Sequence, residues 1–128
     1  MEFTSDRGKT WERTEPLNDG KEIAAIQPAI LKHTGGKLQI LCRSKNKWIL
    51  SAWSDDKGRT WSNLTPLNLP NPNSGIDAVT LKDGRHVLVY NHIDPDKEWG
   101  RRNILNVAVS GDGLNWQAAI LLENDPDP

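Results

Sequence analysis

The feature that most constrains the fold is a turn motif that occurs three times along the chain, at residues 4–11, 54–61 and 110–116. The second copy is the most complete, and it consists of Ser54, Asp56, Gly58, Thr60 and Trp61. A repeat of about 50 residues is typical of stacked β units such as the blades of a propeller.

Each residue type in this motif has a physical role in a tight turn. The aspartate accepts hydrogen bonds from backbone N–H groups, and the glycine supplies a positive φ. The tryptophan is expected to enter the sheet core as a large apolar plug. The other two copies repeat the set, with Thr4 leading the first and Asn115 replacing the threonine of the third: Asp6, Gly8, Trp11, Ser110, Asp112, Gly113 and Trp116.

Between these turns the sequence has short β-like runs and no sustained helical periodicity. The runs form two sets of four, at 23–32, 37–43, 47–54 and 60–64, and at 75–81, 85–91, 103–110 and 115–122. Tight turns at 35–36 and 83–84 fall at equivalent places in the two sets. We therefore predict an all-β chain of propeller blades, each a four-stranded antiparallel sheet.

Composition excludes several classes of protein. A formal net charge of -1 leaves no electrostatic footprint for nucleic acid. No apolar run is long enough to span a bilayer, and the first residues show no signal-peptide pattern. The single cysteine, Cys42, excludes an internal disulfide framework and a cysteine zinc site, and its apolar surroundings predict a small buried side chain. We predict no metal and no cofactor.

The second turn spells Ser-x-Asp-x-Gly-x-Thr-Trp, which is the Asp-box. On this motif the chain resembles the Asp-box, or BNR-repeat, sialidases, which are neuraminidase-like six-bladed propellers. Segments 26–30, 41–44, 69–75 and 102–110 are similar to a bacterial exo-sialidase branch, so the resemblance covers nearly the whole chain. It implies a partial six-bladed propeller and a glycan partner that ends in sialic acid or a related acidic sugar.

A propeller blade takes about 40–50 residues, so the chain is expected to hold about two and a half blades. We assign residues 1–17 to the last hairpin of a preceding blade, 18–65 and 66–123 to complete blades, and 124–128 to a linker. An open unit of this kind would expose blade flanks. We therefore expect a fragment, or a half-propeller that self-associates.

The resemblance places the substrate at the central channel, on the face that carries the blade-to-blade links and the loops between second and third strands. The Asp-boxes lie on the other face and are expected to be structural. Family members bind the sialic acid carboxylate with three arginines, whose planar forks suit bidentate contacts. Arg43 and Arg102 are the main candidates here and Arg101 is a lesser one, with a solvated surface arginine as the alternative for each.

Other polar residues of the same face are candidates for contact with the sugar. They lie on an innermost strand, in the stiff blade-linking loop or at the start of the long loop: Gln27, Asn71, Asn73, Ser74, Asn91 and His92. For the blade-linking loop, the alternative is a purely structural link. Trp99, in the long loop beside Arg101, is a possible ligand contact.

The resemblance implies a retaining mechanism with an aspartate acid/base and a tyrosine nucleophile activated by a glutamate. Asp77 is the candidate acid/base, with a structural aspartate bonded to the linking loop as the alternative. The only tyrosine, Tyr90, does not match the context of the nucleophile. We therefore expect this chain to be inactive alone. The alternatives are a non-catalytic carbohydrate-binding or assembly module, or a sibling glycosidase or lyase.

Overall fold

The computed structural model describes residues 1–94, 96–97 and 101–125. A short hairpin of β1 (Glu2–Phe3) and β2 (Glu12–Arg13) precedes two four-stranded antiparallel sheets. The first sheet contains β3 (Ala25–Lys32), β4 (Leu38–Ser44), β5 (Trp48–Ser54) and β6 (Thr65–Pro70). The second contains β7 (Asp77–Thr80), β8 (His86–Tyr90), β9 (Ile104–Ser110) and β10 (Trp116–Asn124).

Both sheets have the up-and-down strand order of a propeller blade, because each strand pairs with its neighbours in sequence. The first strands of the two sheets, β3 and β7, contact each other. The backbone N–H of Lys32 donates to Thr80 Oγ1 at 3.0 Å across this contact. The predicted all-β fold of four-stranded blades is confirmed. Within the described residues, no helix has the length and apolar character needed to cross a membrane.

The fourth strand of the first sheet comes later than predicted, since β6 begins at Thr65 and not at residue 60. The intervening residues complete the Asp-box turn, and the N–H of Ser62 still donates to the carbonyl of Trp53 at 2.8 Å. Two prolines, Pro66 and Pro70, lie in β6. They are tolerated there because β6 is the edge strand of its sheet.

The first sheet buries apolar side chains on both of its faces. One cluster joins it to the second sheet and contains Leu31, Leu41, Ile49, Leu67, Leu69, Leu88, Tyr90 and Ala108. The cluster on its other face contains Ala25, Ile40, Cys42, Leu50, Ala52 and Leu64. Successive residues Ile40, Leu41 and Cys42 alternate between the clusters, as the pleat of a strand requires. Burial raises the pKa of Cys42 to about 11, so this small core residue is unreactive as a thiol at neutral pH.

The Asp-box turns are held by the hydrogen bonds that the sequence predicts. Asp56 accepts from the N–H of Thr60 at 2.8 Å, from its hydroxyl at 2.6 Å and from Ser54 Oγ at 2.9 Å. The indole of Trp61 donates to the carbonyl of Gly58 at 2.9 Å. In the third turn the amide of Asn115 donates to the aspartate at 2.7 Å and so replaces the threonine hydroxyl.

The predicted apolar plug forms in two of the three turns. Trp61 and Trp116 are half-buried against the two clusters. Trp11 is 63% exposed, so this prediction is wrong for the first copy. Its sheet has only two strands of two residues each, which offer too little apolar surface to cover an indole.

A buried glutamine links the two sheets through polar contacts. Gln39, which is fully buried, donates from Nε2 to Ser51 Oγ and to the carbonyl of Gly113, both at 2.9 Å. Its Oε1 accepts from His33 Nε2 at 2.9 Å. A Cβ on Gly113 would overlap this side chain, so the third Asp-box needs its glycine for space as well as for its φ of 74°.

We predict that Gln39→Leu lowers the free energy of unfolding by about 2–3 kcal/mol, because it leaves buried donors and acceptors on both sheets unpaired. Chemical denaturation measures this change. The matched control is Gln117→Leu, at an exposed position of β10. Equal effects of the two substitutions would show that Gln39 does not link the sheets energetically.

We also predict a loss of stability in acid that depends on the Asp-box aspartates. Hydrogen bonds from the side chain and backbone of Thr60 lower the pKa of Asp56 from 3.8 to about 2. Because the pKa is lower in the folded state, the stabilisation is complete above pH 4 and is lost as the pH falls towards 2. Denaturant midpoints measured between pH 7 and pH 2 should fall less steeply for Asp56→Asn than for the unmodified chain. Asp55→Asn, which removes an exposed carboxylate 3.4 Å from Lys37, is the control and should change the slope less than Asp56→Asn does.

Candidate functional site

Three segments of the chain meet around the guanidinium of Arg43. Arg43 lies near the end of β4, Gln27 lies in β3, and Asn73 lies in the link between the two sheets. Arg43 Nη1 donates to Gln27 Oε1 at 3.0 Å, and Nε donates to Asn73 Oδ1 at 3.3 Å. Nη2 donates to the backbone carbonyl of Asn73 at 2.5 Å. The half-buried side chain of Arg43 is therefore oriented by contacts from two sides.

Both partners of Arg43 have backbone conformations that are unusual for residues other than glycine. Gln27 has a φ of 54° and lies where the β3–β4 register shifts between Ile26 and Ala29. Asn73 has a φ of 56°. Such conformations cost energy and concentrate at functional sites, and a bulge of this kind redirects a side chain. Three other non-glycine residues, Arg7, Lys47 and Lys57, also have a positive φ, and each lies in a turn. Gln27 and Asn73 differ from these in that both contact the arginine.

Asn71 holds the linking loop in place through backbone and side-chain hydrogen bonds. Its backbone N–H donates to the carbonyl of Lys47 at 2.8 Å, and its Nδ2 donates to the carbonyl of Ser74 at 3.1 Å. Its Oδ1 accepts from the N–H of Ser44 at 3.4 Å. Asn71 is fully buried, so these contacts favour the structural role over contact with a sugar. Ser74 is buried too, and its Oγ has no hydrogen-bond partner among the described residues.

Asp77 is the first residue of β7, where it pairs with Val89. Its side chain is exposed, and Oδ1 accepts from the N–H of Ala78 at 2.8 Å. This hydrogen bond stays within β7, and among the described residues the carboxylate has none to the linking loop. An exposed carboxylate on a first strand is available to a ligand, and its role as acid/base stays a prediction.

Asn91 fixes the backbone at the entry to β9. Its Nδ2 donates to the carbonyls of Arg102 and Ile104, both at 2.9 Å, and the residue is buried. Arg101 and Arg102 are exposed, and the backbone of Arg102 is held in place by this contact. Trp99 lies outside the described residues, as do residues 126–128 of the predicted linker.

Tyr90 and His92 form a pair beside these residues. Tyr90 Oη and His92 Nδ1 are hydrogen-bonded at 2.6 Å. Burial raises the pKa of Tyr90 and lowers the pKa of His92, so both side chains are neutral at pH 7. A nucleophilic tyrosine needs the opposite shift. This environment agrees with the prediction that Tyr90 is not the nucleophile.

The sequence of the chain matches a known protein family over its whole length. The family model of the BNR repeat-like domain matches residues 1–128. The chain belongs to the BNR repeat-like family. The resemblance seen in the Asp-boxes is therefore confirmed, while a search of the curated proteins finds no match.

Solved sialidase structures share the fold of this BNR repeat-like chain. The NanB sialidase of Streptococcus pneumoniae superposes with a TM-score of 0.74 at 17% identity, over 97% of this chain and 20% of that protein. The leech intramolecular trans-sialidase gives 0.73 at 18%, over 96% and 20%. The intramolecular trans-sialidase of Ruminococcus gnavus gives 0.68 at 20%, over 91% and 26%. The chain thus spans about a fifth to a quarter of these proteins, and at such identities the likeness shows the fold.

Sequence reasoning missed part of the polar surface of this BNR repeat-like chain. Trp48 lies in the predicted strand run 47–54 with nothing to set it apart, yet it is 40% exposed and lines a cleft with Lys47 and Asn68. The available signal was the place of Trp48 directly after a polar turn, at the end of a strand. Among the described residues, no group of three or more His, Cys, Asp or Glu side chains is placed to hold a metal ion.

Proposed function

We propose that this chain forms part of the substrate-binding propeller of a sialidase-like glycoside hydrolase, with Arg43 binding the carboxylate of a terminal sialic acid or related acidic sugar. The observation that carries the proposal is the orientation of Arg43 by Gln27 and Asn73, each in a strained conformation. The sialidase fold of the structural neighbours supports it.

The hydrogen bonds of Arg43 leave donors for a ligand. A guanidinium has five N–H groups, and its contacts with Gln27 and Asn73 use one on Nε and one on each terminal nitrogen. One N–H on each terminal nitrogen is left, which is the number that a bidentate carboxylate accepts. Asn73 and Gln27 therefore position Arg43, and their own polar atoms lie beside any sugar bound there.

We propose further that the chain contributes binding groups and lacks the nucleophile, so that it is inactive alone. The supporting observation is that Tyr90 is buried and hydrogen-bonded to His92. Arg101 and Arg102 are proposed as additional cationic groups for the sugar, and Asp77 as the acid/base. Hydrolysis then needs blades beyond the two described sheets.

The burial of Tyr90 and its hydrogen bond to His92 also favour a second candidate, a carbohydrate-binding or assembly module without catalysis. The carboxylate chemistry of Arg43 would equally serve a sibling glycosidase or lyase that acts on another acidic sugar. Assays of a longer parent protein with sialosides and with uronic acid glycosides distinguish these possibilities. Release of sialic acid would support the sialidase over both.

We predict that Arg43→Ala weakens binding of N-acetylneuraminic acid by roughly tenfold to a hundredfold, because one hydrogen-bonded charge pair contributes about 1.5–3 kcal/mol. Arg43→Lys should also weaken it, because an ammonium cannot bind bidentately. Titration of each variant with N-acetylneuraminic acid, followed by NMR, measures the two affinities. Arg85→Ala, which removes an exposed arginine paired with Asp83, is the control. Unchanged affinity in Arg43→Ala would contradict the proposed site.

The flanks of the unit carry apolar side chains that we propose are covered by further blades, including those of a second copy. On β10, Ile120, Leu121 and Leu122 are 52–58% exposed, and Ile30 of β3 and Val79 of β7 are exposed as well. The second sheet therefore has a flank that resembles an uncovered blade face.

We predict that the 128-residue chain self-associates, and that Leu121→Lys shifts it towards monomer because a charge at a packed face is costly. Light scattering across a concentration series measures this. Leu114→Lys, at a turn residue with the same 54% exposure, is the control. A clean monomer at high concentration would contradict the prediction.

A further inference from the structure

A second concave surface lies beside the outer strands of the first sheet, and none of its residues belongs to the Arg43 cluster. The cleft has a volume of about 500 Å³. It is formed where the β4–β5 turn and β6 face the loop that follows β8, and it is lined by Lys47, Trp48, Asn68, Pro70, His92, Asp94 and Asp96.

Trp48 gives the cleft an aromatic wall. It is the first residue of β5, where it pairs with Pro70 of the edge strand. Its side chain is 40% exposed, whereas Ile49 and Leu50, which follow it in the strand, are buried. An indole open to a concave surface offers a flat apolar face with a polar edge, which suits the C–H face of a pyranose ring.

Two neutral hydrogen-bonding side chains line the cleft together with Trp48. Asn68 is exposed on β6 and has an amide that both donates and accepts. His92 is bonded through Nδ1 to Tyr90, which leaves Nε2 as the ring nitrogen for a ligand. Burial lowers the pKa of His92, so the imidazole is neutral at pH 7. These groups match the hydroxyls of a sugar.

The charges of the cleft disfavour an anionic ligand. Lys47 is ion-paired with Asp96, and Lys97 lies 3.4 Å from Asp94. Lys47, which lines the cleft, is thus matched by an aspartate, whereas Arg43 has no carboxylate partner among the described residues. A carboxylate sugar would meet two aspartates here, while a neutral sugar could accept hydrogen bonds from the amide and donate to the carboxylates.

From these observations we infer that the Trp48 cleft binds a neutral pyranose, stacked on the indole and hydrogen-bonded to Asn68 and His92. The chain would then carry two sugar sites on one face, with an acidic sugar at Arg43 and a neutral one at Trp48. The inference holds independently of the proposed role of Arg43, since the two sites share no residue.

The test is a titration of the 128-residue chain with the methyl glycosides of galactose, glucose and N-acetylglucosamine, followed by NMR of the tryptophan indole N–H signals. The signal of Trp48 is identified as the one missing in Trp48→Phe. At least one glycoside should shift this signal to saturation. In the Trp48 variants, which lack this signal, binding is followed through the side-chain amide signal of Asn68. Trp48→Ala should weaken binding about tenfold or more, a loss of about 1.4 kcal/mol. Trp48→Phe should retain binding through its ring.

Asn68→Ala, which leaves the aromatic wall intact, should also weaken binding and keeps the test valid if Trp48→Ala fails to fold. Trp11→Ala removes an exposed tryptophan from the hairpin and should leave the affinity unchanged. Absence of any saturable shift at Trp48, or binding that survives both Trp48→Ala and Asn68→Ala, would overturn the inference. A parallel titration of Arg43→Ala with N-acetylneuraminic acid reports on the proposed function alone, so the two can fail separately.

Discussion

The structure depends on one constraint: its four-stranded sheets have apolar side chains on both faces, and a single sheet cannot bury both. In the first sheet, Leu41 faces the second sheet while Ile40 and Cys42 face the opposite way. Stacking of the sheets satisfies one face, and the segment before β3 covers part of the other. Gln39 fixes how the sheets meet, because its amide joins the core of one sheet to the Asp-box turn of the next.

The same stacking creates the candidate site. Arg43 and Asn73 are 30 residues apart in sequence, and they meet because the link to the second sheet passes the end of β4. Asn71 fastens this link to the β4–β5 turn. The Asp-box turns have their own local hydrogen bonds and share no residue with the site. The Asp-box turns and the candidate site therefore depend on different residues and different loops.

Much of the fold could be predicted from local sequence. The spacing of the three turns predicts the two sheets and their strand order, and the replacement of threonine by Asn115 conserves the hydrogen bond. The start of β6 could not be predicted, because the turn continues to Ser62 before an edge strand that accepts proline begins. The exposure of Trp11 could not be predicted from the sequence either. An indole is buried only where a neighbouring sheet covers it, and turn chemistry does not encode that neighbour.

The sequence by itself determined the repeat, the antiparallel blades, the family and the candidate residues of one face, because these follow from short-range turn chemistry and alternating strands. Only the tertiary structure separated the roles of those candidates. In the structure, Asn71 and Asn91 donate to backbone carbonyls, and Tyr90 is hydrogen-bonded to His92. Arg43 lies between Gln27 and Asn73 and donates to both. Side-chain direction in loops is set by packing between the sheets, and that packing brings together residues far apart in the chain.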